Sequence, residues 1–183
     1  MSQKEINNYF QNHWYPNQKP DRFEQYEYSG NAILDKINPT SDYVLDVGCG
    51  KNPFKGKIAN LIGIDPASPD ADVKTTLESF YPRQHFDVVL CLGSVNFGDI
   101  FQIKRQIIKI STMLKKNGRI FWRCNPGLHD HDSEEFKKLE VFPWTKDLHY
   151  TLALNFGYAV MDIRDDTQNR IYAEWVKVEN KFS

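Results

Sequence analysis

Cysteine is scarce and unpatterned: Cys49, Cys91 and Cys124 are the three in the chain, and no two form a CxxC pair. An odd number of widely spaced thiols supports neither a disulfide framework nor a zinc site, so no metal is expected. Long apolar runs are missing too. No stretch approaches the roughly 18 residues that cross a membrane, and the first ten residues lack the apolar core of a secretion signal. The expectation is a cytoplasmic protein with no membrane partner. Neither sign of charge is in excess. A net charge of -1 argues against a grip on nucleic acid through its phosphates, which needs a basic face. Repeats and low-complexity tracts are absent, and 183 residues suit one domain.

What is present is an alternation of strands and helices. Residues 1–20 form a polar arm with embedded aromatics, among them Tyr9, Phe10, Trp14 and Tyr15. Residues 21–183 form the domain. A helix is predicted over 21–37, where Phe23, Tyr26, Gly30, Ile33 and Ile37 share one face, with Asp21 as N-cap. Short apolar strands follow at 43–45 and 61–64, with a third at Asp72 and Val73. The run at 86–92 is almost continuously apolar, as suits a parallel strand buried on both faces. A helix over 100–114 carries Ile100, Ile103, Ile107, Ile110 and Leu114 as its stripe, and Asn117-Gly118 closes it. The fifth strand is 119–124. A polar insertion spans 125–145 and holds a short helix with Asp132 as cap and Glu135 three residues on. A helix over 147–156 and strands at 158–164 and 171–177 complete the chain. The short connection between those last strands requires an antiparallel pair. The expected fold class is α/β: a Rossmann-like, doubly wound sheet, mostly parallel, with a C-terminal antiparallel hairpin.

The stretch VLDVGCG at 44–50 leaves a strand and turns on two glycines. Glycine lets backbone turn tightly and approach a ligand with no Cβ in the way. Asp65 ends the next strand, 19 positions after Asp46. That spacing suits a carboxylate that accepts hydrogen bonds from a ribose diol. Sheets of this class bind ligands in the crevice beyond the carboxyl ends of their strands.

Across residues 21–178 the chain resembles the class I S-adenosylmethionine-dependent methyltransferases. VLDVGCG resembles their first motif and IGIDP at 62–66 their second. ADV at 71–73 is similar to their third, FDVVLCLGSV at 86–95 to their fourth, and LKKNGRIFW at 114–122 to their fifth strand and its turn. The resemblance implies S-adenosylmethionine as cofactor. It implies cofactor contacts at Asp46, Gly48, Cys49 and Gly50, at Asp65 and Pro66, at Asp72 and Val73 on the adenine, and at Cys91, Leu92 and Gly93 on the methionine part. The chain departs from the pattern at Asn52, where a third glycine is usual, and at Pro53 and Gly56, which leave the first crossover helix short or irregular. A pyrophosphate wants that helix end, so the departure disfavours a dinucleotide. Cys49 and Cys91 read as small packing residues rather than nucleophiles.

Methyl transfer needs in-line alignment more than acid catalysis, although a hydroxyl acceptor needs a base. His129, Asp130, His131 and Asp132 follow the fifth strand on the ligand side. His129 and His131 are the candidate catalytic residues. Arg123 and Asn125 end that strand, and Asn96 and Phe97 follow the fourth, where acceptor contacts are expected. The Asn/Asp-Pro-Pro-aromatic motif of nucleic-acid amine methyltransferases is replaced by Gly93-Ser94-Val95-Asn96-Phe97. A small-molecule acceptor is therefore the first reading. An RNA or protein methyltransferase, or a non-catalytic cofactor- or partner-binding protein of the same fold, is the alternative.

Overall fold

The computed structural model describes residues 2–17, 26–131 and 133–178. A six-stranded sheet runs through the centre, built from β1 (Tyr43–Val47), β2 (Asn60–Ile64), β3 (Phe86–Leu92), β4 (Leu114–Cys124), β5 (Tyr158–Asp166) and β6 (Arg170–Lys177) in the order β2-β1-β3-β4-β6-β5. The first four in that order are parallel, and β6 and β5 are antiparallel. This is the expected α/β class.

Alternation along the strands divides the core between the two faces. Val44, Val88, Leu90, Phe121 and Tyr172 meet Ile33, Ile37, Phe54 and Ile58 on one side. Leu45, Val89, Ile120, Trp122 and Trp175 meet Ile103, Ile107, Ile110, Leu152 and Phe156 on the other. The second group rides on the helices that follow α1 (Gln3–Tyr9) in the chain, namely α2 (Ile100–Met113) and α4 (Lys146–Phe156). The short α3 (Glu134–Lys137) lies between them in sequence. A capping box of Asp99 and Gln102 starts α2, and Gly157 at φ 81° ends α4.

Three expectations are corrected. The helix over 21–37 is, within the described residues, only a 3-10 turn at Gly30–Lys36. Residues 26–29 are not helical, because Glu27 N–H, Tyr28 N–H and Ser29 Oγ–H all donate to the Asp166 carboxylate instead. Asp21 and Phe23 lie outside the described residues. The third strand shrinks to one bridge between Ile64 and Val73, since both Asp72 N–H and Val73 N–H turn back to the Gly63 carbonyl. The N-cap of α3 is Ser133, whose Oγ accepts from Phe136 N–H. Asp132 lies outside the described residues. The first crossover, residues 48–59, is irregular as read, and Phe54 and Ile58 bury themselves where a helix would pack.

The arm runs from α1 through a π-helical turn, Phe10–Trp14, into a 3-10 turn, Tyr15–Asn17. Tyr9 packs with Phe136, Leu139 and Val141 of the insertion, joined by Phe10, Trp14 and Phe97. The insertion is pinned to the loop after β3 by the bridge Phe97–Val141 and by the bond from Trp144 Nε1 to the Val95 carbonyl, 2.9 Å, and it is closed on itself by the bridge Pro126–Pro143.

Candidate functional site

The loop after β1 is held by its glycines. Gly48 sits at φ 65°, and a Cβ there would come within 2.4 Å of the Ser94 Cβ. The loops after β1 and β3 can therefore touch only with glycine at this position. Gly48 N–H and Cys49 N–H both donate to the Ile64 carbonyl, at 2.8 and 3.1 Å. Gly93, at φ 108°, has nothing within 4 Å of an added Cβ, so its missing side chain leaves open space beside the strand ends.

That space belongs to a cavity of about 500 Å³ over the carboxyl ends of β1 to β4, a usual size for a small-molecule site. Gly48, Cys49, Gly50, Asp65, Pro66, Leu92 and Gly93 line it, as the resemblance implies. The other four implied cofactor residues stand behind this wall. Asp46 is buried under the loop, and burial, then Asp65 and Asp72, pushes its carboxyl up to about 7. Cys91 is fully buried, and burial raises its thiol well above the usual range. Asp72 is engaged elsewhere: Oδ2 accepts from Gly63 N–H and Asn52 Nδ2, and Oδ1 from Lys55 Nζ at 2.6 Å. Val73 is exposed. The cavity wall on that side is made by Thr75, Thr76, Leu77 and Glu78, three to six positions further along the chain. No motif marks these four positions in the sequence.

Asp65 is the best-provided group of the site. Its Oδ1 accepts from Ala67 N–H at 2.7 Å and Ser68 N–H at 2.9 Å. Its Oδ2 accepts from Gly50 N–H at 3.2 Å and from the Tyr15 hydroxyl of the arm at 2.9 Å. Burial, with Asp65 beside it, raises the Tyr15 phenol far above its ordinary value, so the hydroxyl stays a donor. This arm contact, 50 positions away in sequence, left no local signal. Cys49 lines the cavity, but burial, followed by Asp46 and Asp65, raises its thiol too, which removes the thiolate a nucleophile needs.

The two candidate catalytic histidines are used differently. His129 does not line the cavity, and its ring contacts the Leu139 carbonyl through Nε2 at 3.0 Å. His131 does line it, stacked on Phe136 with centroids 4.1 Å apart and joined through Nδ1 to the Tyr9 hydroxyl at 2.7 Å. Beyond them lie Asn96, Phe97, Arg123, Asn125 and Arg170. Arg170, which no sequence motif marks, pairs bidentately with Asp130 at 2.8 and 3.0 Å. No group of three or more His, Cys, Asp or Glu that could hold a metal occurs among the described residues.

The site suits a cation at its glycine end. Asp65 and Asp72 add to burial in raising the Asp46 carboxyl, and acidic groups gathered at this end favour a sulfonium or an ammonium over a pyrophosphate. Ser94 lines the cavity with its backbone turn, while its Oγ is sealed beneath the surface without a partner among the described residues. Gly48 to Gly50, Asp65, Leu77, Gly93 and Ser94, all on the cavity wall, could hold S-adenosylmethionine.

No protein-family model matches the chain, and no curated protein does. Solved structures do match. Magnesium protoporphyrin IX methyltransferase from Synechocystis PCC 6803, with S-adenosylmethionine bound, aligns at TM-score 0.68 and 12% identity over 95% of this chain and 96% of that one. The Burkholderia thailandensis 1,6-didemethyltoxoflavin-N1-methyltransferase, with its acceptor and S-adenosylhomocysteine, aligns at TM-score 0.65 and 14% identity, covering 81% and 76%. The N-methyltransferase NodS from Bradyrhizobium japonicum WM9 aligns at 0.57 and 16%, covering 74% and 85%. At such identities the likeness is one of architecture: this chain has the Rossmann-like fold of the class I S-adenosylmethionine-dependent methyltransferases.

Proposed function

We propose that this protein is an S-adenosylmethionine-dependent methyltransferase acting on a small molecule. The observation that carries the reading is the cavity itself. One chamber joins a glycine loop and an acidic strand end to an aromatic and polar compartment roofed by the arm and the insertion. The structural neighbours named above, crystallised with the cofactor or its product, include enzymes of porphyrin and toxoflavin methylation, which supports a small acceptor.

The cofactor supplies an electrophilic methyl group whose leaving group is a neutral thioether. The chain's share is to align and to exclude water. The loop at 48–50 and the Gly93-Ser94 turn receive the amino-acid part, Asp65 the ribose, and Thr76 and Leu77 the adenine. Asp72 and Val73 support that wall from behind. His131 ties the arm to the insertion through the Tyr9 hydroxyl, and His129 braces the insertion through the Leu139 carbonyl, so we assign both to positioning the roof rather than to proton transfer.

Calorimetric titration tests the reading. S-adenosylmethionine and S-adenosylhomocysteine should bind at one site and NAD should not. Asp65→Ala should weaken that binding by roughly 1.5–3 kcal/mol, the worth of hydrogen bonds to a charged group. Binding of NAD in place of S-adenosylmethionine would overturn it.

A further inference from the structure

The cavity carries charge at both ends. Its acidic lining groups, Asp65 and Glu78, belong to the β2 end and the segment after it, with Lys51 of the glycine loop beside them. Arg123 on β4 and Arg170 on β6 lie on the opposite side. Sheet order puts β1 and β3 between Asp65 and Arg123. Three strand spacings are about 14 Å, so the basic end lies beyond the part of the cavity that a cofactor on Asp65 fills.

Arg123 is held with one edge free. Its Nε–H donates to Asp166 Oδ2 at 2.9 Å, and Nη2 donates to the Thr167 carbonyl and Gln168 Oε1 at 3.1 and 3.3 Å. Tyr26 lies under the guanidinium, 3.8 Å from Cζ to the ring centre. Nη1 makes no hydrogen bond among the described residues, nor is it among their sealed, unsatisfied atoms. In a side chain that lines the cavity and is only 7% exposed, this edge faces the chamber. Asn96 repeats the pattern. Its Oδ1 accepts from Asn125 N–H at 3.0 Å, which fixes the amide plane. Its Nδ2 has no partner among the described residues and is not sealed off.

Asp166 leaves the Arg123 charge only partly cancelled. Its carboxylate is shared among Arg123 Nε, Ser29 Oγ and the N–H groups of Glu27, Tyr28 and Thr167. The basic end therefore presents several N–H donors and an unspent positive charge to an occupant. Phe10, Trp14, Phe97 and Phe136 wall the space between, and edge-to-face pairs such as Phe10–Phe97, at 5.7 Å, favour a flat ring.

We propose that the acceptor is a planar aromatic carboxylate, its oxyanion held by Asn96 Nδ2 and Arg123 Nη1. This deepens the methyltransferase reading and rests on it. The test is calorimetry on the full chain saturated with S-adenosylhomocysteine, titrated with benzoate, salicylate and 2-naphthoate, and with the matching amides. At least one carboxylate should bind about tenfold or more tightly than its amide, as a charge-assisted bond implies. Asn96→Asp keeps the acceptor for Asn125 N–H and replaces the donors with a like charge. It should remove that preference while S-adenosylhomocysteine affinity stays within about twofold. Arg123→Lys, which keeps the charge and loses the fork, should reduce the preference in the same direction. Failure of S-adenosylhomocysteine to bind the native chain would sink the methyltransferase reading. Its binding without a carboxylate preference, or a preference that survives Asn96→Asp, would overturn this proposal alone.

Discussion

His149 is the most isolated polar side chain in the core. It is fully buried, stacks on Trp144 at 4.5 Å and lies within 6.2 Å of the Trp122 and Trp175 ring centres. Neither ring nitrogen has a partner among the described residues. Burial therefore drives its pKa from 6.5 down to about 3. A depressed pKa on a base means that the unfolded chain takes up the proton first. Stability is full above about pH 6.5 and falls as pH drops toward 3. The loss reaches at most about 5 kcal/mol, from the size of the shift. His149→Phe keeps the ring and removes the proton site. In urea unfolding from pH 7.5 to 4, the variant should gain on the native protein steadily as pH falls. A difference that stays constant with pH would exclude this origin.

Among the elements, the arm has the clearest consequence. Its Tyr15 hydroxyl occupies Asp65 Oδ2, the oxygen a ribose hydroxyl would seek, while Trp14 lies against Gly50, 3.6 Å from an added Cβ. A cofactor bound at Asp65 would compete with that hydroxyl, and the aromatic rings would help to enclose it. Tyr15→Phe should accordingly tighten S-adenosylmethionine binding, by roughly three- to tenfold if about one hydrogen bond is released. Weaker binding in that variant would show that the hydroxyl supports the cofactor. The arm also marks where sequence reading stopped. Glycine turns and strand-ending aspartates are local features, so VLDVGCG and Asp65 were legible from residue types and spacing. The Tyr15–Asp65 and Arg123–Asp166 contacts join positions 50 and 43 apart, and no local pattern encodes them. The lost helix at residues 26–29 has the same cause, because its backbone donors are claimed by Asp166, a residue from the far hairpin. The third motif is placed by contacts of another kind. Asp72 has the right chemistry, but Asn52, standing where a glycine is usual, and Lys55 draw it to the back of the wall.

At the scale of the whole molecule, the sheet separates two kinds of aromatic packing. Trp122, Trp144 and Trp175 form a sealed cluster on the α2 and α4 face, with Trp122–Trp175 centroids 4.8 Å apart and Trp122–Trp144 5.7 Å. Trp14, the fourth tryptophan of the chain, is half-buried at the cavity. The protein therefore carries two fluorescent reporters in one colour. The clustered indoles, close enough to pass excitation among themselves, should emit at short wavelength and shift to the red only when the core opens. Trp14 alone should respond to an occupied chamber. Trp14→Phe should abolish the emission change on adding S-adenosylhomocysteine and leave the unfolding transition visible. If the ligand still alters the emission of that variant, the chamber and the core are coupled through the sheet, and filling one would be felt as a change of light from the other.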